Sequence, residues 1–487
     1  MVNRIVFLFV WALVVCQGGV SQNRNNPNLS PQRINELMKD SSIMKANEQN
    51  AANNVPAGIK YSEIRTVDPA NPPVVVDIAR NITNQKVFKL SDIASSVRYI
   101  MMQSPPDIPF DRVYNIASDN ERIYVTSNFG LFCYSNEGQF LFAPYLKQIN
   151  SAKYPQMTYR SIRDQMRPTN TTTPQVSIPG DIFSSSMLGI FDLLNGKLVF
   201  LTYGLESPFR VLNMIDFNET KFQTPFFTQP GEVKKTNIEP TYQRVINRQY
   251  TGMGFFLCLD DESLLISNTL TTIALNGDTL CKYNDYDQPT IQQEARRVAV
   301  FSSIYRIDGH VMLQKSYNDT VFRVLPPNRL QPAYVMNWGK YKPDINQYVA
   351  GWALEGTFVL GGWIETMRFI FIHYTEGRDY PIRRNEGTIK DHWAIFDKTK
   401  KTLTHYLFPG APAMDGHVLL PPLIENDIEP IGMPFYPKGV NHKGEMYMTF
   451  TKLDVKKYID SGKFQKEKLQ AIYDSMTDDS FCLMLVK

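Results

Sequence analysis

SSIYRIDGHVMLQKSYNDTVFRVLPPNRLQPAYVMN, residues 302–337, holds four short apolar runs separated by three polar or turn-forming breaks. Asp308-Gly309 parts the first two runs. Asp-Gly between alternating apolar residues is a strong signal for a two-residue hairpin turn. Pro326-Pro327-Asn328 forces the last reversal, because proline fixes φ and cannot continue a strand ladder. The stretch reads as one antiparallel unit of four strands, A to D.

The A–B half of this unit recurs five times. It appears as VYNIASDNERIYVTS (113–127), SMLGIFDLLNGKLVFLTY (186–203), GFFLCLDDESLLISN (254–268), TFVLGGWIETMRFIFIHY (357–374) and PKGVNHKGEMYMTF (437–450). Repeated four-stranded units that bury their surfaces only against neighbours define a β-propeller. The fold class expected is all-β: a six-bladed β-propeller of four-stranded antiparallel blades, with short helical insertions. The blades fall near 113–142, 186–224, 254–283, 302–336, 357–408 and 437–487, within a propeller spanning 58–487. The last unit runs out at SFCLMLVK, one strand short. PPVVVDIA (72–79) is an orphan strand, so Val74–Ile78 is expected to complete the last blade and close the ring, removing an open edge.

The run KLSDIASSVRYI (89–100), the stretch RIYVTSNFGLFCYSNEGQFLF (122–142) and YNDTVFRV (317–324) with its WGKY tail resemble the six-bladed β-propeller proteins of unknown function that abound in Bacteroides and relatives. The resemblance runs from about residue 74 onward. It implies an exported or lipid-anchored protein, and it brings no agreed catalytic residues.

The extra length of the chain sits in particular connections. D-to-A links cover 143–185, 222–253, 284–301, 337–356 and 409–436, and two B-to-C links cover 375–391 and 451–479. In a propeller both kinds of link leave the same face. One face is therefore elaborated and the other plain, and functional loops on a rigid scaffold belong to the elaborated one. Residues 452–475 carry Phe464, Leu469, Ile472 and Tyr473 at helical spacing, which predicts one or two short helices packed on the last blade.

Lys plus Arg is 51 against 48 for Asp plus Glu, a net charge of +3. No broad positive field is available for nucleic acid, so none is expected as partner. Ile5–Val15 is apolar but too short to span a bilayer, which takes about 20 residues. Small residues follow it, so residues 1–21 read as a signal peptide and 22–57 as an Asn-rich flexible lead. Acylation of Cys16 is the alternative. The mature chain is expected to be exported, periplasmic or outer-membrane associated, with no transmembrane span. Cys133, Cys258, Cys281 and Cys482 lie in apolar runs, as buried small hydrophobes do.

Chemistry-bearing motifs are sparse. No zinc, phosphate-loop, nucleophile-elbow or EF-hand pattern is present, and no cofactor or metal is expected. His373, His392 and His405 fall in strands of the fifth blade, and His442 in a plain-face turn. His417, beside Asp415, lies in an elaborated loop and is the candidate base for a lyase or hydrolase. The candidate ligand contacts are Arg112, Arg248, Tyr250, Arg297, Asp319, Trp352, Glu355 and His417. Arginine forks suit carboxylate or sulfate, and aromatic rings stack on sugars. Acidic residues in the same loops, among them Asp164 and Glu376, can instead pair with those arginines. The function expected is non-catalytic binding of a small molecule, a glycan or an envelope protein. The alternatives are a carbohydrate lyase or hydrolase at the channel mouth, and an envelope scaffold or sensor.

Overall fold

The structure is a computed structural model. It describes residues 59–105, 107–108, 113–149, 151–166, 186–203, 209–213, 219–222, 256–267, 270–274, 278–284, 302–315, 317–345, 356–376, 390–407, 414–415, 418–419, 423–429, 432–441, 443–462 and 466–487. The signal peptide and lead expected over 1–57 lie outside these residues, as does Cys16.

Small antiparallel sheets stand in a propeller-like ring. Five blades are each built from four consecutive strands. Blade one is Val113–Ser118, Arg122–Ser127, Gly130–Ser135 and Phe140–Leu146. Blade two is Ser186–Leu194, Lys197–Tyr203, Phe209–Asn213 and Glu219–Phe222. Blade three is Phe256–Cys258, Ser263–Ile266, Thr271–Ala274 and Thr279–Lys282. Blade four is Ser302–Ile307, His310–Lys315, Thr320–Leu325 and Arg329–Asn337. Blade five is Phe358–Glu365, Phe369–Glu376, Lys390–Asp397 and Thr402–Tyr406.

Counted as chain-continuous units, the blades therefore number five, one fewer than the six repeats imply. The sixth repeat makes no complete blade alone. Its inner strand is only Gly439–Val440, followed by Met446–Thr451 and Phe481–Val486. A fourth strand from the N-terminal side, Val97–Met102, completes a composite sheet.

The donor of that strand corrects the sequence reading. Val74–Asp77 does not join the last repeat. It pairs in parallel with Tyr334–Asn337, the outer strand of blade four. Val97–Met102 instead runs antiparallel to Phe481–Val486, with Met102 opposite Phe481 and Val97 opposite Val486. The physical reason is length and pattern. Six residues alternate in burial and match all six of the partner, whereas the valine run offers four.

The stretch before Val97 forms a strap along the outer edges. Lys60 and Tyr61 donate to the carbonyls of Thr279 and Leu280 in blade three. Ile64–Arg65 pairs with blade four, and Gln85–Lys86 with blade five at His405 and Tyr406. Outer strands thus gain partners for edge groups that would otherwise be open.

Hairpin turns follow the chemistry of their residues. Asp308 (φ 48°) and Gly309 (φ 73°) are both left-handed, as are Asn195 (φ 50°) and Gly196 (φ 72°). That is the geometry that matches strand twist in a two-residue hairpin. The second strands are buried on both sides, Arg122–Ser127 and Ser263–Ile266 almost throughout, because each blade is covered by two neighbours. Their sequences are accordingly apolar runs rather than strict alternations.

The core is a succession of inter-blade layers. Tyr124 and Leu131 of blade one pack with Phe191 and Phe200 of blade two. Leu265 of blade three meets Leu313 and Phe322 of blade four. Met312 and Tyr334 of blade four meet Phe358 and Tyr374 of blade five. Phe371 and Trp393 of blade five meet Phe450 and Met484 of the composite sheet. Ile100 and Leu483 of that sheet meet Ile116 and Val125 of blade one.

The expected helices over 452–475 are Lys452–Asp460 and Lys466–Ser475. Thr451 caps the first, accepting from the Asp454 amide while Asp454 returns the bond. Val455 and Leu469 are fully buried against the composite sheet, with Ile472 and Tyr473 packed beside them. Phe464 lies outside the described residues. All four cysteines named from the sequence after Cys16 are buried free thiols. Among the described residues no helix is long and apolar enough to cross a membrane.

Candidate functional site

The second and third strands of blade four are joined by Tyr317, Asn318 and Asp319 on the elaborated face. Asn318 accepts from the Thr320 amide at 2.7 Å, and the Asp319 carbonyl accepts from Met336 at 2.7 Å. This locally bonded turn holds the Asp319 carboxylate, 8% exposed, against Lys342 at 2.7 Å. The Lys342 ammonium also sits 4.8 Å from the centre of the Tyr317 ring. Tyr317 donates its hydroxyl to the Pro343 carbonyl at 3.0 Å.

These groups line a cleft between blades four and five, together with Met336, Trp338 and the start of the inner strand of blade five, Phe358–Leu360. Its enclosed space is about 10 Å³, room for about one water. An aromatic layer forms its wall. Tyr341 stacks on Phe358 at 4.3 Å and 13°, and Trp338 meets Tyr374 edge-on at 5.6 Å.

Tyr374 joins the cleft to two histidines. Its ring stacks on His392 at 4.9 Å and 12°, and its hydroxyl lies 2.6 Å from Nε2 of His405. The other nitrogen of His405 faces the Asn81 carbonyl of the strap at 2.9 Å. A carbonyl only accepts, so Nδ1 carries the proton and Nε2 receives the tyrosine hydroxyl. Burial pushes His405 below the ordinary imidazole range, against the two strap hydrogen bonds. Burial pushes His392 down as well, partly opposed by Glu376 at 3.7 Å.

On the opposite surface of blade five, His373 Nε2 meets Asp391 at 2.7 Å, and the ring stacks on Trp393 at 4.8 Å. The inner strand bulges between Leu360 and Gly362. A Cβ on Gly361 would stand 2.6 Å from His373 Nδ1, so only glycine leaves room for the ring there. An imidazole hydrogen-bonded to a carboxylate is the pairing that general acid–base chemistry uses.

Of the predicted contacts, Asp319 alone lies in a described segment, and it sits in the cleft as a buried ion pair. Arg112, Arg248, Tyr250, Arg297, Trp352, Glu355 and His417 lie outside the described residues. Arg160, an elaborated-face arginine, pairs with Asp479 at 3.0 Å, the self-pairing weighed from the sequence. Glu376 sits beside His392, at 3.7 Å. Sequence reasoning missed Lys342 and the convergence of Tyr374, His392 and His405. Tyr374 lies directly opposite His392, and His373 opposite Trp393. That register between HY and HW is invisible until the strands are paired. Among the described residues, no group of three or more His, Cys, Asp or Glu is placed to hold a metal ion.

The fold and the cleft define a propeller-like all-β protein with a surface cleft between adjacent blades. The chain matches the domain of unknown function DUF4933 over residues 56–166 and 233–461, well over half its length. It belongs to that family. No curated protein matches. Solved structures that it is similar to include an exported protein of Bacteroides fragilis, at 12% identity and TM-score 0.48, over 85% of this chain and 99% of that one. Another is a protein of unknown function from Bacteroides thetaiotaomicron, at 7% identity and TM-score 0.33, over 85% and 75%. A third is an inactive virginiamycin B lyase from Staphylococcus aureus with quinupristin, at 10% identity and TM-score 0.30, over 80% and 100%.

Proposed function

We propose that this is an exported, six-bladed propeller that binds a ligand, without transforming it, through its elaborated face. The composite sheet serves as the sixth blade and closes the ring. What supports closure is its packing on blade five to one side and blade one to the other. Residues 1–21 act as the export signal, 22–57 as a lead, and the mature chain resides in the periplasm or at the outer membrane of a bacterial envelope, with Cys16 the candidate lipid anchor. The ligand class proposed is a glycan or glycan-derived molecule. Arg112, Arg248, Tyr250, Arg297, Trp352 and Glu355 are retained as proposed contacts.

The observation that carries this reading is the cleft between blades four and five. It brings a charge pair, Asp319–Lys342, beside aromatic rings, groups that a polar ligand meets at its edge on the surface, since the enclosed cleft itself holds only about one water. The test is thermal unfolding of the mature chain against neutral and acidic glycans. A ligand at 100 times its Kd adds about 2.7 kcal/mol of stability. A shift with one glycan class that leaves the glycan chemically intact supports the reading, and the absence of any shift counts against it.

A second reading, a carbohydrate lyase or hydrolase, is favoured by one observation, the His373–Asp391 dyad. Product formation from the bound glycan that disappears in His373→Ala would establish it. Product that persists there and disappears in His417→Ala would return the base to the loop residue.

A further inference from the structure

The innermost strand of every blade is a sheet edge, so half of its N–H and C=O groups point into the central channel. Cys258 sits at such a position in blade three. Its neighbour Leu259 donates to Ser263 across the hairpin, so Cys258 turns its own polar groups to the open edge. Both are taken up by side chains from other blades. The Cys258 N–H donates to Asp192 Oδ2 of blade two at 2.8 Å. The Cys258 carbonyl accepts from Arg306 Nη2 of blade four at 2.6 Å, and the same Nη2 donates to Asp192 Oδ2. The remaining oxygen of Asp192 accepts from the Leu193 amide.

This geometry fixes where the ion pair lies. Blades two and four are not neighbours, since blade three stands between them. The inner strands of both pack against that of blade three. A direct Asp192–Arg306 contact that also meets the open edge of Cys258 must run through the channel in front of blade three. The level is set by register. Asp192, Cys258 and Arg306 lie opposite Val199, Leu264 and Val311, the corresponding positions beside the three A–B turns. Those turns form the plain face. The pair is nearly closed to water, with side-chain exposures of 3% for Asp192 and 11% for Arg306.

We infer that the Asp192–Arg306 pair crosses the central channel in front of blade three near the plain face and forms part of a floor there, so that access to the channel is from the elaborated face. This rests on the ring reading given above and adds a direction of access to it. Any ligand that enters the channel does so past the long connections.

The Cys258 thiol is a built-in reporter, because it lies within hydrogen-bonding reach of Asp192 and is 2% exposed. The test is native-state alkylation of the full mature chain with N-ethylmaleimide, with each cysteine read by mass spectrometry. No ligand is needed, so the floor can fail while ligand binding stands, and the reverse. In Arg306→Ala, Cys258 is expected to label at least about tenfold faster than in the parent, as a locally opened site does. Cys133, Cys281 and Cys482, buried elsewhere, are expected to keep their parent rates. A Cys258 rate equal to the parent's in a folded Arg306→Ala protein overturns the inference. If all four cysteines accelerate together, the variant has unfolded and Asp192→Asn decides. It keeps the side-chain volume and an acceptor for Cys258, and a selective rise at Cys258 supports the floor while its absence overturns it.

Discussion

Replacing Arg306 by methionine tests the energetics of the channel pair. The carboxylate of Asp192 is 3% exposed and would keep the amides of Leu193 and Cys258 and the Cys258 thiol as partners, but no cation. The Cys258 carbonyl would lose its donor as well. Removing one partner of a buried ion pair costs about 3–5 kcal/mol, because the other charge stays buried and uncompensated. Removing both and filling the space with apolar groups is often neutral or better. The double variant Asp192→Leu/Arg306→Met still leaves the Cys258 amide and carbonyl without partners, at about 1–3 kcal/mol for each buried group. The cycle therefore separates two explanations. If the pair acts mainly as a cap on the inner strand, the double variant is as unstable as Arg306→Met. If the desolvated charge dominates, the double variant recovers most of the loss. Urea unfolding of parent, both single variants and the double variant gives the four stabilities. An Arg306→Met protein within about 0.5 kcal/mol of the parent, inside the usual range of surface substitutions, would refute the placement of this pair in a site closed to water.

Other perturbations follow from the same geometry. Gly361→Ala is expected to cost about 1–3 kcal/mol by driving a methyl into the His373 ring, and the cost should shrink in a His373→Ala background, as urea midpoints would show. Leu469→Ala, at a fully buried helix position, is expected to lose about 2–5 kcal/mol. Leu453→Ala, at 62% exposure on the preceding helix, should stay within about 0.5 kcal/mol in the same assay. His392 and His405 are held below the ordinary imidazole range chiefly by burial. The unfolded chain therefore binds protons at these sites before the folded one, and stability should fall as pH drops below about 6.5. The loss levels off once pH is below the folded values. Melting temperatures between neutral and mildly acidic pH would show this slope, and His392→Gln/His405→Gln should flatten it.

Much of the ring was legible because its signals are local. Asp308-Gly309 and Asn195-Gly196 announce their hairpins through backbone chemistry that few other dipeptides allow. The packed helices after Thr451 carry their own cap and apolar spacing. The strap was not legible. Ile64–Arg65, Val74–Asp77 and Gln85–Lys86 are pairings of two to four residues between segments hundreds of positions apart. VVVD reads equally well as the outer strand of any blade. Register decides, and register here is set by which partner strand has an open edge of the right length. The same limit hid the cleft. Asp319 was found because its loop is polar and sits at a strand end. Lys342 gave no sign of reaching back to it, since the contact depends on where the chain turns after Trp338. His392 and His405 looked scattered because two different strand pairings bring them to Tyr374.

The most direct test of binding at the elaborated face compares two variants with the ligand that gives the largest thermal shift. Lys342→Ala alters the cleft between blades four and five, whereas Arg98→Ala alters the plain-face cleft shared by the composite sheet and blade one. The ligand-induced shift is expected to collapse in Lys342→Ala and to persist in Arg98→Ala. A shift kept in Lys342→Ala and lost in Arg98→Ala would place binding on the plain face and contradict the account.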